Sequence, residues 1–506
     1  MLEEVPLVSD ALALILDCGA TNATASVASA AGALIASASR PNAPDFDPGS
    51  PGNLVWDVDA ILDRLFAAAC DALAGVDRSR VKALAVTTFG ADGAPVAADG
   101  SLLYPVISWQ CGRTEPLADS FAELCDPFEA FTITGYQVFS FNTILKLLWL
   151  RRHAPQTLDN AAAWLMMPGL LSHRLCGEMS VDATAACTTM AIDLGARGWS
   201  DAMLALAGVA QSLFPRWVEP GEVIGALAPS VAADLGLALG IPVVAAGHDT
   251  QFAIVGSGAR EGEAVLSSGT WEILATRARA PELTREVYES GLMVELDAEP
   301  GLTNPQFLMM ASGGLEWVRR RFYGDLGDGG AAYETMIAEA AGVPPGSDGL
   351  VFLPQFVRGA GPSKRYGTGG GMLGLELHTP RGQVYRAALE GLAFQLRNAM
   401  DILGRLQGAP VTSVRAVGGG SRNALWNQIR ADVCGVPLVT IEQKEATVLG
   451  AAMFAFVGAG VYSSLDEARS AATVERVYEP GIDSPAYAPL YERYALLPPA
   501  LEGFFR

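Results

Sequence analysis

The stretch "ALALILDCGATNATASVASAAGALIASAS", residues 11–39, decides the fold. Its apolar, β-compatible runs are separated by small turn formers, a Gly-Thr turn and then Ala31-Gly32, which predicts strand, turn, strand, turn, strand with Asp17 at a strand end. Working outward, "VWDVDAILDRLFAAACDAL" (55–73) carries apolar residues at helical spacing and "VKALAVTTFG" (81–90) returns as a buried strand. A helix leading back to a strand implies a layered α/β domain. "GEAVLSSGTWEILATRAR" (262–279) repeats the opening pattern, with Gly269-Thr270 as a second copy of Gly19-x-Thr21. The expectation is a duplicated fold with its boundary near residue 256.

Elsewhere the pattern predicts helices over 142–155, 158–177 and 384–406, and a strand running into a turn over 241–250. Residues 414–441 read as strand, glycine turn, helix, strand. "GDLGDGGAA" (324–332) and "RGAGPSKRYGTGGG" (358–371) read as flexible surface loops of the kind that form lids.

A chain of 506 residues exceeds what one hydrophobic core serves, so two domains are expected. Half of the residues are apolar and 18% are charged, which excludes a disordered chain. The net charge of −21 repels polyanions and argues against nucleic acid or an anionic membrane as partner. Seven cysteines without a C-x-x-C pair read as reduced thiols rather than a zinc site. The start "MLEEVPLVSD" is acidic where a signal peptide would be basic, and no run approaches the ~18 consecutive apolar residues of a membrane span. A cytoplasmic protein is expected, and a homo-oligomer is left open.

Three glycine turns follow strands: Gly19-Ala20-Thr21-Asn22, Ser268-Gly269-Thr270 and Gly418-Gly419-Gly420-Ser421-Arg422-Asn423. Glycine lets backbone N–H groups approach phosphate oxygens and Thr or Ser hydroxyls add donors, so facing pairs of such turns can clasp a triphosphate. Taken singly, each is also an ordinary hairpin turn. Asn423 stands where a dinucleotide fingerprint needs glycine, and no G-x-x-x-x-G-K-[ST] occurs, so ATP would be held by opposed hairpins and a separate purine slot. Asp17 and Asp249 each end an apolar strand, a position that suits metal binding, proton abstraction or helix capping. For Asp249 the rival reading is an N-cap for the helix that begins "TQFAIVGSG". Four histidines and no elbow serine give a Ser-His-Asp hydrolase little support.

These residues resemble the FGGY carbohydrate kinases, ATP-dependent enzymes on the duplicated actin/hexokinase-like (ribonuclease H-like) α/β fold, with two domains around an ATP/sugar cleft. "FNTILKLLWLRRH" (141–153) and "GMLGLELHTPRGQVYRAALE" (371–390) look like the two family signatures, and "DCGAT", "GHDT", "SSGTW" and "GGGSRN" fall in the family's order. The resemblance implies an N-terminal domain over 11–255, a C-terminal domain over 256–460 and an extension over 461–506. It implies Asp249 as catalytic base and Asp17 as the Mg²⁺ residue. Gly19, Thr21, Asn22, Gly269 and Thr270 would hold the phosphates of ATP, with Gly313, Gly314, Gly419 and Asn423 lining the nucleoside pocket. Gly90, Asp92, Trp109, Gln110, Arg113, His248 and Thr250 match substrate-side segments. Each has a plainer reading: Trp109 suits a core, and Arg113 suits a surface ion pair.

Within the family, "VTTFGADGA", "SWQCGRT" and "GHDTQFA" are most similar to the branch acting on L-fuculose, which implies phosphoryl transfer from ATP to its 1-hydroxyl. The alternatives are an L-rhamnulose or D-xylulose kinase, or a non-catalytic actin-like ATP switch. One departure stands out: family members commonly carry an arginine where this chain has Thr24. Arg422, Lys364 or Arg365 is expected to replace its charge.

Overall fold

The structure, a computed structural model, describes residues 10–327, 330–357 and 360–505. The acidic stretch 1–9 and two residues in each of the loops 324–332 and 358–371 lie outside the described residues. The chain sorts into two units. The first comprises residues up to 258, Glu295–Leu302 and Glu445–Thr473; the second comprises Ala259–Val294, Thr303–Lys444 and the residues from 474 on.

In the first unit, β1 (Leu12–Cys18), β2 (Asn22–Ser29) and β3 (Leu34–Pro41) form an antiparallel meander. β4 (Val81–Thr88) lies parallel to β1, and β5 (Pro242–Val244) lies parallel to β4. The order β5-β4-β1-β2-β3 follows, with Val223–Ala226 beyond β5. In this register Asp17 is opposite Thr24 on one side and Thr87 on the other. β1 is buried along most of its length, as a central strand covered on both faces must be. Helix α1 (Val58–Ala72) is N-capped by Asp57 and buries Ile61, Leu65, Ala68 and Ala69, the apolar stripe its spacing predicts. α2 (Thr143–His153) matches the expected helix.

The expected helix over 158–177 is corrected. Ala163–Met166 is a strand paired with Gly93–Val96, and α3 (Met167–Cys176) starts only where Pro168 enters its first turn. A short apolar run reads equally as strand or helix, and proline with its fixed φ belongs at the helix start. α4 (Asp249–Gly256) then leaves the strand-and-turn segment.

The second unit repeats the plan. β6 (Ala264–Ser268), β7 (Trp271–Thr276) and β8 (Thr303–Met310) are antiparallel, β9 (Val414–Val417) lies parallel to β6, and β10 (Leu438–Ile441) lies parallel to β9. The order β8-β7-β6-β9-β10 is that of β3-β2-β1-β4-β5, which makes the duplication a property of the topology. α5 (Ser312–Phe322), α6 (Arg381–Gln407) and α7 (Ala424–Cys434) share one core through Leu315, Leu389, Phe394 and Trp426. α8 (Ala446–Gly458) belongs to the first unit and packs on α4.

The two expected flexible loops contain regular structure in their described parts. Gly324–Leu326 is a 3-10 turn and a helix runs over Gly330–Ala341. Lys364–Tyr366 is a 3-10 turn, and Gly371–Leu373 pairs with Val351–Leu353. Buried Ala332 and Met336 anchor the first of these. No described helix is long and apolar enough to cross a membrane.

Candidate functional site

The ends of β1 and β4 place the first turn and the Gly90–Asp92 segment in one unit. Gly19 N–H donates to Asn22 O at 2.9 Å, and Asn42 ties the turn down by donating from Nδ2 to Gly19 O and from its backbone to Thr21 O, both at 2.8 Å. Thr21 and Asn22 remain exposed at its tip. Thr87 Oγ1 donates to Asp17 Oδ1 at 3.0 Å. Burial, followed by the nearby Asp249 carboxylate, pushes the Asp17 carboxyl up to about 7 despite that bond. Asp17 and Asp249 are thus electrostatic neighbours although 232 residues separate them (249 − 17).

Asp249 is not the N-cap of α4. The cap is His248, and Asp249 is the first helical residue, in the positive field of the helix N-terminus. Its Oδ1 accepts from Thr250 N at 2.6 Å and from Thr250 Oγ1 at 3.2 Å, and its side chain keeps 34% exposure. Thr88 N–H donates to Gly247 O at 2.9 Å, which lays the end of β4 beside the His248 turn. A Cβ on Gly90 would stand 2.7 Å from Thr188 Cγ2 and 3.2 Å from His248 Cδ2, so the close approach of these segments requires glycine there.

His248 Nδ1 lies 3.5 Å from Glu295 Oε2, and its Nε2 lies 3.5 Å from Asp249 Oδ1. Burial alone would lower the pKa of this ring, but Glu295, then Asp249 and Asp182, push it up to about 9. Burial likewise opposes the charge of Glu295, yet His248, Tyr136 and Gln251 outweigh it and hold that carboxyl below its ordinary range.

The residues expected on the substrate side fall into two groups. Gly90, Trp109, Gln110, His248 and Thr250 are exposed or half-buried. Trp109, at 39% exposure, is therefore not a core residue. The side chains of Asp92 and Arg113 are buried and engaged. Asp92 accepts from Trp56 Nε1 at 2.7 Å and from Trp109 N at 3.0 Å, and it pairs with Lys146 of α2, with neither side chain exposed. It supports the main chain of Trp109 from below. Arg113 is an ion pair, as its plainer reading has it, but not at the surface: it meets Asp47 at 3.1 Å, with both side chains almost fully buried, and stacks over Trp149.

In the second unit, Ser312 N and Oγ both donate to Gly269 O, at 3.2 and 2.5 Å, and Gly313 N donates to Thr270 O at 3.1 Å. Gly269, Thr270, Gly313 and Gly314 are thereby brought together at the start of α5. The third glycine turn closes on the same place: Gly418 has φ +82°, and a Cβ there would stand 2.6 Å from Ser268 O. Gly419 is exposed, while Asn423 N-caps α7 through Trp426 N and donates to Tyr385 Oη at 3.4 Å. Beneath the turns, Arg430 pairs with Glu272, and both contact Ser268 Oγ.

Thr24 lies on β2 and its hydroxyl is 2.7 Å from Ser39 Oγ. Of the three replacement cations, Arg422 is exposed, Arg365 bonds and stacks on Tyr366, and burial lowers the pKa of half-buried Lys364. All three belong to the second unit. Sequence reading missed Arg64 of α1, which donates to Asn42 Oδ1 at 3.1 Å and brings a cation to the support of the first turn. It also missed Lys146, Glu272, Glu295 and Arg430.

Comparison with known proteins follows the same division. The FGGY family of carbohydrate kinases, N-terminal domain, matches residues 12–256, and its C-terminal domain matches residues 264–459. The L-fuculokinase of Escherichia coli (strain K12) is 42% identical over 458 residues, covering 90% of this chain and 94% of that protein. The L-fuculokinase of Haemophilus influenzae is 36% identical over 475 residues, covering 92% and 99%. The crystal structure of xylulose kinase from Rhodospirillum rubrum superposes with a TM-score of 0.87 at 27% identity, covering 98% of this chain and 99% of that one. Both domain models match in the order of the two sheets and relatives this similar span most of the length, so the chain belongs to the FGGY family of carbohydrate kinases.

Proposed function

We propose that this kinase transfers the terminal phosphoryl group of ATP to the 1-hydroxyl of L-fuculose. Sugar kinases of the family use ATP, and the two L-fuculokinases above support the choice of sugar. The observation that carries the chemistry is the setting of Asp249: a partly exposed carboxylate at a helix N-terminus, with Oδ1 held by Thr250 and the sugar-side residues Gly90 and His248 adjacent. In our reading Asp249 accepts the hydroxyl proton as the sugar oxygen bonds to the γ-phosphorus. The bond from that phosphorus to the bridging oxygen breaks, and ADP leaves with the electron pair. Trp109, Gln110, His248 and Thr250 contact the sugar, and Asp92 and Arg113 hold that surface in place. Gly19, Thr21, Asn22, Gly269 and Thr270 donate to phosphates, and Gly313, Gly314, Gly419 and Asn423 line the nucleoside side.

Among the described residues no group of three or more His, Cys, Asp or Glu could hold a metal ion. Asp17 nevertheless fits Mg²⁺, which takes one or two carboxylates and completes its shell with phosphate and water oxygens. Two mutually repelling carboxylates, one with its pKa raised to about 7, are the charge arrangement that a divalent cation relieves. Bound there, Mg²⁺ would neutralise phosphate charge. We assign the sugar and phosphate side to residues 11–255 and the nucleotide side to 256–460. The product tests the reading: phosphorus NMR of the isolated sugar phosphate should show coupling to the two C1 protons, and coupling to any other sugar proton contradicts it.

A further inference from the structure

We propose that Glu295 is a positioning residue for phosphoryl transfer: it fixes the orientation and charge of the His248 ring, and through that ring it holds Asp249 in place as proton acceptor. This role rests on Asp249 being the base of the kinase. Glu295 is 1% exposed and sits in the short strand Met293–Leu296, within the Glu295–Leu302 segment that belongs to the first unit. Three groups converge on it. Tyr136 Oη donates to its Oε1 at 2.7 Å, Gln251 Nε2 of α4 donates to its Oε2, and His248 Nδ1 stands 3.5 Å from the same Oε2.

A buried carboxylate satisfied by neutral donors alone is costly, and the cation facing this one is the imidazolium of His248. The groups facing His248 are Glu295 from its strand, Asp249 from the start of α4, and Asp182, which caps the helix Ala183–Cys187 and whose own carboxyl burial raises to about 6. Thr184 Oγ1 of that helix accepts from the His248 backbone at 2.9 Å. A Cβ at position 90 would stand 3.2 Å from His248 Cδ2, so glycine there leaves room for the ring in this orientation. Each ring nitrogen thus has one carboxylate beside it, Nδ1 at 3.5 Å from Glu295 Oε2 and Nε2 at 3.5 Å from Asp249 Oδ1. Asp249 Oδ1 also accepts from Thr250 N, so in this role Oδ2 is the oxygen that takes the proton. Nδ1 is buried with no hydrogen-bond partner among the described residues, so a small closure toward Glu295 would complete the contact.

The test uses the full chain and the variants Glu295→Gln, Tyr136→Phe, His248→Gln and Asp249→Asn. In protein labelled with ¹⁵N-histidine, one of only four histidines to assign, the ring missing from H248Q should titrate near 9 in the wild type. In E295Q it should titrate at least about one pH unit lower, because burial then acts with less opposition. The alkaline limb of kcat/KM for the sugar should move down by the same amount. At pH 8, kcat should fall about 10–100-fold with KM for ATP little changed. Y136F should move both readouts in the same direction by less, and it keeps the test open if E295Q folds poorly. On an H248Q background E295Q should cost less than about a further twofold, since the two act through one ring. A wild-type His248 titrating below about 7, or an E295Q that melts lower with its pH profile unmoved, makes Glu295 structural only. If D249N keeps wild-type turnover, the base assignment fails, and this role with it, even where the His248 ring still shifts.

Discussion

Asp17 and Thr24 face each other across the first hairpin, directly paired in the β1–β2 register, so their side chains share one face of the sheet. An arginine at position 24 would therefore lie beside the Asp17 carboxylate. Threonine instead bonds to Ser39 and leaves that carboxylate with Thr87 as its donor. This pairing leaves the burial and the Asp249 repulsion at Asp17 without a neighbouring cation on β2.

Asp249→Asn should keep the fold and ATP binding but lower kcat by about 10²–10⁴-fold, the usual worth of a general base. Because Asp249 is not the cap of α4, the melting temperature should scarcely change. Steady-state kinetics with thermal melting check this. Near-normal turnover would remove Asp249 from the chemistry.

Asp17 carries a stability cost that depends on pH. Its carboxyl is raised from 3.8 to about 7 in the folded chain, so the folded state binds more protons than the unfolded one across that window, and stability falls as pH rises through it. Asp17→Asn should therefore raise Tm of the ligand-free protein by about 1–3 °C at pH 8 and by less at pH 4. The same variant should lose most activity, and added Mg²⁺, which should raise Tm of the wild type, should leave that of the variant unchanged. A lower Tm at pH 8 would show that the charge is not strained.

If another cation supplies the charge expected at position 24, Ala substitutions at Arg422, Lys364, Arg365 and Arg64 should raise KM for ATP in at least one case. A hydrogen bond to a charged group contributes about 1.5–3 kcal/mol, or roughly tenfold and more in KM. Arg64 is the added candidate because Asn42 links it to the Gly19 turn. Four variants with wild-type KM would mean that backbone donors and the metal suffice.

Asp92 and Lys146 form a fully buried ion pair. Asp92→Asn leaves the ammonium with a neutral partner, and breaking one side of such a pair typically costs about 3–5 kcal/mol. Denaturant unfolding should show that loss, together with weaker sugar binding, because the Trp109 backbone donates to the same carboxylate.

Much of this arrangement is legible in the sequence because it is local. The turns at Gly19, Gly269 and Gly418 are written in glycine and threonine beside apolar strands, and the repeat of strand, Gly-Thr turn, strand announces the duplication before the strand orders show it. The Ala163–Met166 strand is not legible, since four apolar residues before a proline carry no period and only pairing with Gly93–Val96 decides them. Glu272 and Glu295 bear the same mark as Asp17, a carboxylate inside an apolar strand. What sequence cannot supply is the partner: Arg430 and His248 lie 158 (430 − 272) and 47 (295 − 248) residues away. For Asp92 and Arg113, too, the partner is what sequence leaves out: their types suit a sugar, and only the structure shows their side chains paired with Lys146 and Asp47.

The choice of sugar is the central claim, and phosphate-binding turns are blind to it. In the proposed reading specificity comes from the surface around Trp109, Gln110 and His248, where an epimer would leave polar groups unpaired. The direct measurement is a coupled ADP-release assay with Mg²⁺-ATP across L-fuculose, L-rhamnulose, L-ribulose, D-xylulose and glycerol. L-Fuculose should exceed every other acceptor by at least about tenfold in kcat/KM. A higher value for L-rhamnulose or D-xylulose, or ADP release that no sugar stimulates, would contradict the account.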